Sequence, residues 1–346
     1  MQQMKAICSF SGQLKENNTK KGIDSKNMGY INGNIVIEDA QGGSHRVDVF
    51  EYIKKNSWDS KTSSMTFTEE DNPYYKGLET LATYGDAKSN PNNPIYVSSS
   101  SFKDYSSANI SANDYYRDGR MFSGIKISNK VFKTVEPSKV DGLFHFNVSG
   151  IIEDKKLNED SSIAIKFLVL TTKGGYNNSE VTLNNCFPMD LIVEKGLAEQ
   201  FESAGYDVGM FVNFSGVIVN NTITTQENSY FGEAEVITKR VVQNQIKIGG
   251  RPMSIYDIGL TDNDIEMVKN KRELYLKKIE ERASNIMPTQ INNSQQNMFS
   301  QTPNINFGNG FNNNSFNEQT QQAQQQSQSA SISMPFSVDE VNPFEA

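Results

Sequence analysis

The chain has 346 residues, of which 36% are hydrophobic and 10% aromatic, and its formal net charge is −8. This length is sufficient for two ordinary domains or one large one. The acidic balance argues against a protein that holds nucleic acid mainly by electrostatic attraction, because such domains are usually strongly basic. It does not exclude base stacking on aromatic rings beside a local cationic groove.

The two cysteines, Cys8 and Cys186, lie in apolar, strand-like sequence. We expect free, buried thiols, as is usual in a reducing cytoplasm. The first residues lead directly into a strand pattern without a signal peptide, and no apolar run is long enough to span a bilayer. The sequence therefore predicts a soluble, cytoplasmic protein with no membrane association.

Residues 1–136 predict a β domain with one helix. Strands are expected at 6–14, 30–38 and 46–53, a helix at 74–84, and two further strands at 95–97 and 121–127. The first strand is expected to bend at Ser11 and Gly12, because a glycine inside an alternating pattern marks a bulge or a bend.

Residues 137–255 predict the same order more clearly. Strands are expected at 144–152, 162–171 and 185–193, a helix at 194–204, and strands at 208–219 and 231–242. Three strands, a helix and two strands are the order of the OB-fold, a five-stranded Greek-key barrel. Ser149 and Gly150 repeat the bend, 138 positions after Gly12. We therefore predict an all-β chain with two OB-fold domains; the alternative is one larger β-rich domain.

Residues 256–284 predict a charged helix that starts near Thr261 and carries a narrow apolar stripe. The stripe is expected to dock on the body, with a contact to a partner or a second copy as the alternative. Residues 285–346 are rich in Asn and Gln and contain no Lys or Arg. Such a sequence cannot bury enough surface to offset the entropy of ordering, so we predict a disordered tail with an acidic tip.

No enzyme signature is found: the chain has no phosphate-binding P-loop, no nucleophile elbow and no metalloprotease motif. His45 and His145 are the only histidines, and neither has a Cys or His neighbour at metal-ligand spacing. The sequence therefore predicts a protein that is not an enzyme and that uses no cofactor and no metal.

Aromatic and cationic side chains are interleaved along the predicted strands and loops, the pattern by which proteins stack the bases of a single strand and track its phosphates. Rings in loops beside Arg or Lys are favoured, since rings on strands more often belong to the core. The candidates for nucleic-acid binding are Tyr52, Trp58, Tyr115, Tyr116, Arg117, Arg120, Lys126, Lys166, Phe167, Lys173, Tyr176, Tyr230, Lys239 and Arg240.

These segments resemble bacterial and phage single-stranded-DNA-binding proteins. Residues 194–219 are similar to the family's stretch in which a helix ends at a glycine and opens strand 4, and residues 113–122 resemble its long hairpin between strands 4 and 5. The tip resembles the family's acidic Pro-Phe tail. Two departures are that the family's tail usually ends at Phe, whereas Glu345 and Ala346 follow Phe344 here, and that the typical bacterial protein has one OB domain per chain.

The resemblance implies a protein that coats single-stranded DNA without strong sequence preference during replication or recombination, in a phage or a mobile element and hence in the host cell cytoplasm. It also implies that the tail recruits replication or recombination proteins. The tail candidates are Phe336, Asp339, Glu340, Pro343, Phe344 and Glu345. Two domains in one chain favour a monomer or a homodimer. The alternative function is a β-rich structural protein of virion assembly with a flexible tail.

Overall fold

The computed structural model describes residues 3–59, 64–99, 108–174, 180–227 and 235–286. Over these ranges the chain is mainly β-structure. The strands are β1 (Ala6–Asn17), β2 (Lys20–Ile23), β3 (Gly29–Glu38), β4 (Ser44–Tyr52), β5 (Lys54–Asp59), β6 (Ser64–Asp71), β7 (Tyr96–Ser99), β8 (Ala108–Arg117), β9 (Arg120–Ser128), β10 (Phe132–Thr134), β11 (Phe144–Leu157), β12 (Ile163–Lys173), β13 (Thr182–Val193), β14 (Phe211–Glu227) and β15 (Glu235–Gly249). The helices are α1 (Pro73–Leu81), α2 (Lys195–Ser203) and α3 (Asp262–Ile286).

The second half folds into a closed five-stranded barrel, barrel 2, made of β11 to β15. β11 pairs antiparallel with β12 and β14, β12 pairs with β13, and β14 pairs with β15. A parallel pair, β13 with β15, closes the barrel, and α2 connects β13 to β14. This is the strand order of an OB-fold, with the helix between strands 3 and 4, and it confirms the prediction for this half.

The first half forms barrel 1 from β1, β3, β4, β8 and β9, with the same pairings and a parallel closure between β4 and β9. The prediction that 95–97 is strand 4 was wrong. β7 lies there and pairs with β1 and β10, while β8 is the fourth strand. The short apolar run at β7 gives a clearer strand signal than β8, whose second half is polar. β5 and β6 form a separate two-stranded sheet.

Two glycines, one in β1 and one in β11, allow neighbouring strands to approach closely. A Cβ on Gly12 would lie 2.5 Å from the carbonyl oxygen of Glu38, and a Cβ on Gly150 would overlap the carbonyl oxygen of Leu168. Only glycine permits such an approach. The register irregularities of the two strands follow shortly after these glycines, between Leu14 and Glu16 and between Ile152 and Asp154. Within the described ranges, β1 and β11 pair antiparallel and thereby join the strands of the two barrels into one 13-stranded sheet.

Helix α3 docks on barrel 2, as the first of the two sequence interpretations predicted. Thr261 and Asp264 cap its start reciprocally, because Asp264 Oδ2 accepts from the Thr261 N–H at 2.9 Å and Thr261 Oγ1 accepts from the Asp264 N–H at 3.3 Å. Ile265 and Val268 pack into an apolar cluster with Leu170 and other residues of barrel 2. No helix in the described ranges is both long and apolar enough to cross a membrane.

Candidate nucleic-acid interface

The hairpin of β8 and β9, which connects strands 4 and 5 of barrel 1, carries exposed rings and cations. It turns at Asp118 and Gly119, which have φ values of 51° and 75°. Two successive positive φ values are the requirement of a type I′ turn, whose twist matches that of the flanking strands. The Asp-Gly sequence therefore fixes the register of the whole ladder.

One face of this hairpin carries most of its predicted binding residues. The ladder pairs Arg117 with Arg120, Tyr115 with Phe122, and Ser111 with Lys126. Because side chains alternate between the two faces of a strand, these three pairs share one face. The Tyr115 and Phe122 rings stack with their centroids 5.2 Å apart and their planes at 12°, and they are 42% and 41% exposed. We call this surface the hairpin face.

The charges on the hairpin face are largely available to a ligand. Arg120 and Lys126 make no ion pair with any described residue. Arg117 pairs with Asp118 at 3.2 Å, but both side chains are more than 70% exposed, at 74% and 82%. Such exposed pairs contribute little and exchange readily. Elsewhere lysines are held more firmly; Lys155, for example, bridges two carboxylates.

The opposite face of the hairpin points toward the body. It carries Tyr116, which is half-buried, and Asp114, whose carboxylate pairs with Arg272 of α3 at 2.7 Å. The two adjacent tyrosines therefore lie in different environments. Because adjacent residues of a strand face opposite ways, one ring should matter more than the other, and the exposure of Tyr115 indicates which one.

A second group of rings lies on β3 and β4, the strands that correspond to the ligand-binding sheet face of OB-folds. Phe50 is 48% exposed and lies 5.9 Å from Tyr30 and 5.1 Å from Tyr52, centroid to centroid. Phe67 of β6 packs edge-on against Tyr52 at 4.8 Å. Sequence reasoning missed Tyr30 and Phe67 because their partners become neighbours only when the strands pair.

Two predicted binding rings are corrected by their burial. Tyr52 is only 3% exposed, covered by Phe67, and Phe167 is fully buried and packs against Phe214 in the barrel 2 core. Neither ring presents a face to a base. On the same strand as Phe167, Lys166 and Lys173 are exposed, and Lys166 lies 4.0 Å from Asp154.

Helix α3 and the segment before it cover part of the β12–β13 face of barrel 2. Leu168, Leu170 and Cys186 are buried there with Ile258 and Leu260. Burial raises the pKa of Cys186 to about 11, so this thiol stays protonated and unreactive near neutral pH. The OB ligand-binding face is therefore partly covered in barrel 2, whereas the corresponding face of barrel 1 carries the exposed ring of Phe50.

Several predicted residues fall where side chains are not described. Trp58 belongs to β5, and Lys239 and Arg240 belong to β15, but their side chains lie outside the described part. Tyr176 and Tyr230 lie outside the described residues, as do the tail candidates Phe336, Asp339, Glu340, Pro343, Phe344 and Glu345. Among the residues that are described, no group of three or more His, Cys, Asp or Glu could hold a metal ion.

Comparison with solved structures gives distant matches. The wild-type single-stranded DNA binding protein from Thermus aquaticus matches with 9% identity and a TM-score of 0.41, covering 73% of this chain and 95% of that one. A deletion mutant of the same protein matches with the same identity and TM-score, covering 73% of this chain and 97% of that one. A replication protein A heterotrimer bound to ssDNA matches with 10% identity and a TM-score of 0.18, covering 70% and 49%.

No curated protein matches the chain. One family model matches residues 5–282, which is most of the chain and includes both barrels and nearly all of α3. The chain belongs to the YorF family.

Proposed function

We propose that this protein binds single-stranded DNA, and that the hairpin face of barrel 1 is a principal contact surface. The observation that carries the proposal is the stacked pair Tyr115 and Phe122, exposed between Arg117 and Arg120 at one end and Lys126 at the other. Exposed rings offer π-faces to unpaired bases, and the flanking cations can follow the phosphates.

The distribution of charge favours stacking over electrostatic attraction as the main source of affinity. The whole chain carries a formal charge of −8, so a nucleic acid would be repelled at long range and attracted only locally. Every base has a π-face, so such a surface tolerates all sequences. A duplex hides these faces inside its stack, which gives a preference for single strands.

The rings around Phe50 extend the proposed site onto the sheet face of barrel 1. Phe50 and Tyr30 stand on β4 and β3, and the hairpin face belongs to the connection between strands 4 and 5. The sheet of strands 2 and 3 and the strand 4–5 loop are the surfaces with which OB-folds bind oligonucleotides. Both elements of that arrangement carry exposed rings in barrel 1.

The protein acts as a coating protein in replication or recombination, without enzymatic activity, and its acidic tail recruits partner proteins. A monomer or a homodimer suffices, because each chain already contains two barrels.

The test is equilibrium binding of the full chain to fluorescently labelled oligothymidine, to a mixed-sequence single strand and to a duplex, at several salt concentrations. We expect tight binding to both single strands, weaker binding to the duplex, and a logarithmic salt slope of about −0.7 per phosphate contact. The variant Tyr115→Ala/Phe122→Ala should bind more weakly at every salt concentration with a similar salt slope. Absence of binding to single strands at low salt would contradict the proposal and favour a structural role.

A further inference from the structure

The hairpin leaves barrel 1 as a two-stranded ribbon. Within the described ranges, β8 pairs with β1 only at Ala108 and Asn109, and β9 pairs with β4 only at Ile127 and Ser128. From residue 110 to residue 126 the ribbon's ladder is formed by β8 and β9 alone. An isolated two-stranded ribbon is only marginally stable in water. Ile110, Ala112 and Ile125 pack the base of the ribbon on the main apolar core, so it is the part beyond them, with Tyr115 and Phe122, that needs support from elsewhere in the protein.

A buried ion pair meets the ribbon near its middle. Asp114 Oδ1 accepts a hydrogen bond from Arg272 Nη2 at 2.7 Å, and the two side chains are 0% and 10% exposed. The second carboxylate oxygen, Asp114 Oδ2, is buried and has no hydrogen-bond partner among the described residues. A buried carboxylate that has one guanidinium as its partner keeps that contact, because losing it would leave a buried, uncompensated charge.

Arg272 belongs to a helix that packs on barrel 2. It lies on the same side of α3 as Ile265 and Val268, which pack into the apolar cluster of that barrel. On the surface, Lys269 of α3 also pairs with Glu153 of β11 at 2.5 Å. The ion pair thus connects the ribbon of barrel 1 to a helix that is anchored on barrel 2.

We propose that Arg272 is a positioning residue for nucleic-acid binding, acting through Asp114 on the ribbon. Asp114 and Tyr115 are neighbours in β8 and point to opposite faces. When Arg272 holds Asp114 against α3, Tyr115 and its partner Phe122 are turned toward solution. The inference rests on the proposed function, and it gives α3 a role in binding that requires no contact with the nucleic acid.

The decisive variant is Asp114→Ala/Arg272→Ala in the full chain, measured by oligothymidine affinity, melting temperature and hydrogen exchange of amides 111–117. The double variant leaves no buried unpaired charge, so its melting temperature should be lowered less than that of either single variant. We expect its affinity to fall by about 2- to 30-fold, the range for residues that act on a site without touching the ligand. Amide protection along the ribbon should fall with it.

Two further variants make the test specific. Glu153→Ala/Lys269→Ala removes a different ion pair, which joins α3 to barrel 2, with no change in net charge. The affinity of this control should equal that of the wild type. Arg272→Lys keeps the buried charge but loses the planar fork, so its affinity and its ribbon protection should both decrease. Reduced affinity with unchanged ribbon protection in Arg272→Lys would overturn the proposal.

The outcomes separate this inference from the proposed function. If Tyr115→Ala weakens binding while Asp114→Ala/Arg272→Ala binds like the wild type, the positioning role is wrong and the hairpin face remains. If affinity only follows the melting temperature across all the variants, the ion pair is structural and the proposal is overturned. If Tyr115→Ala also binds like the wild type, the proposed interface itself is wrong.

Discussion

Cys8 of β1 lies directly opposite Phe146 of β11 in the ladder that joins the two barrels, and the two residues occupy equivalent positions. They are separated by the same number of sequence positions as Gly12 and Gly150. The pair at one end of the ladder is Ala6 with Val148. In the other barrel, Phe144 is the equivalent of Ala6 and Phe10 is the equivalent of Val148, and these two form the pair at the other end. The junction therefore has the symmetry of an isologous homodimer contact within one chain.

Phe144 should be the most sensitive ring at this junction. It is 1% exposed and stacks between His45, with centroids 3.9 Å apart, and Phe10, at 4.8 Å. Phe144→Ala should lower the free energy of unfolding by about 3–5 kcal/mol, because the removed ring leaves a cavity between packed rings. Urea unfolding measures this, with Phe50→Ala, at an exposed ring, as the matched control. A loss no larger than that of the control would show that the junction does not depend on this stack.

Gly150→Ala should be more harmful than its small size suggests. The new methyl group would overlap the carbonyl oxygen of Leu168 on β12, so the two strands would have to separate. We expect a loss of about 1–3 kcal/mol in unfolding free energy. Gly124→Ala is the control, since no atom lies within 4 Å of a Cβ built there. Equal melting temperatures for the two variants would contradict the close approach.

The sequence predicted those parts of the fold that depend on local pattern. The helix that starts near Thr261 is indicated by a few neighbouring residues and is found in the structure. The irregularities expected at Gly12 and Gly150 are found shortly after these glycines, between Leu14 and Glu16 and between Ile152 and Asp154. The strand that follows β7 was missed because β8 is polar on one side. The order of strands in the second half was predicted because its apolar runs are long and regular.

The site was less predictable, because it depends on which face of each strand is covered. Alternation places Phe167 on one face of β12 but does not show that this face is inside the barrel. Tyr52 is covered in part by Phe67, which comes from a separate hairpin. The pair of Asp114 and Arg272 joins residues 158 positions apart, and no local pattern indicates such a contact.

The stability of the protein should depend on the ionisation of His45. Burial lowers the pKa of this imidazole, and its hydrogen bond to Asp39 at 2.8 Å opposes that shift only in part. Between the lowered pKa and the unfolded value of about 6.5, the unfolded chain binds the proton more readily than the folded one. The contribution of His45 to stability is therefore fully present above that unfolded value and decreases as the pH falls through this window.

Thermal melts between about pH 7.5 and 5.5 measure this dependence on His45 ionisation. His45→Gln should show a smaller decrease in melting temperature with decreasing pH than the wild type. His145→Gln is the control, because its ring is 44% exposed and pairs with Asp141 at the surface. If the wild type and His45→Gln have parallel profiles, His45 does not cause the dependence.

Tyr115 and Tyr116 should differ in their effect on single-stranded DNA binding. Tyr115→Ala removes an exposed ring stacked on Phe122 and should weaken binding by about 1–3 kcal/mol without changing the melting temperature appreciably. Tyr116→Ala removes a half-buried ring on the opposite face and should mainly lower the melting temperature. Anisotropy titrations beside thermal melts give both quantities. The reverse pattern would place the nucleic acid on the inner face of the hairpin.

Removal of residues 287–346 should leave single-stranded DNA binding at least as tight as that of the full chain. The removed segment contains Glu318, Asp339, Glu340 and Glu345 and no Lys or Arg, so its charges compete with phosphates for the cations of the hairpin face. The gain should be largest at low salt, where screening is weakest. A full-length variant with Asp339, Glu340 and Glu345 changed to the corresponding amides separates charge from length, and it should bind like the truncated chain. If truncation abolishes binding instead, the tail belongs to the binding site, and the division between a binding body and a recruiting tail is wrong.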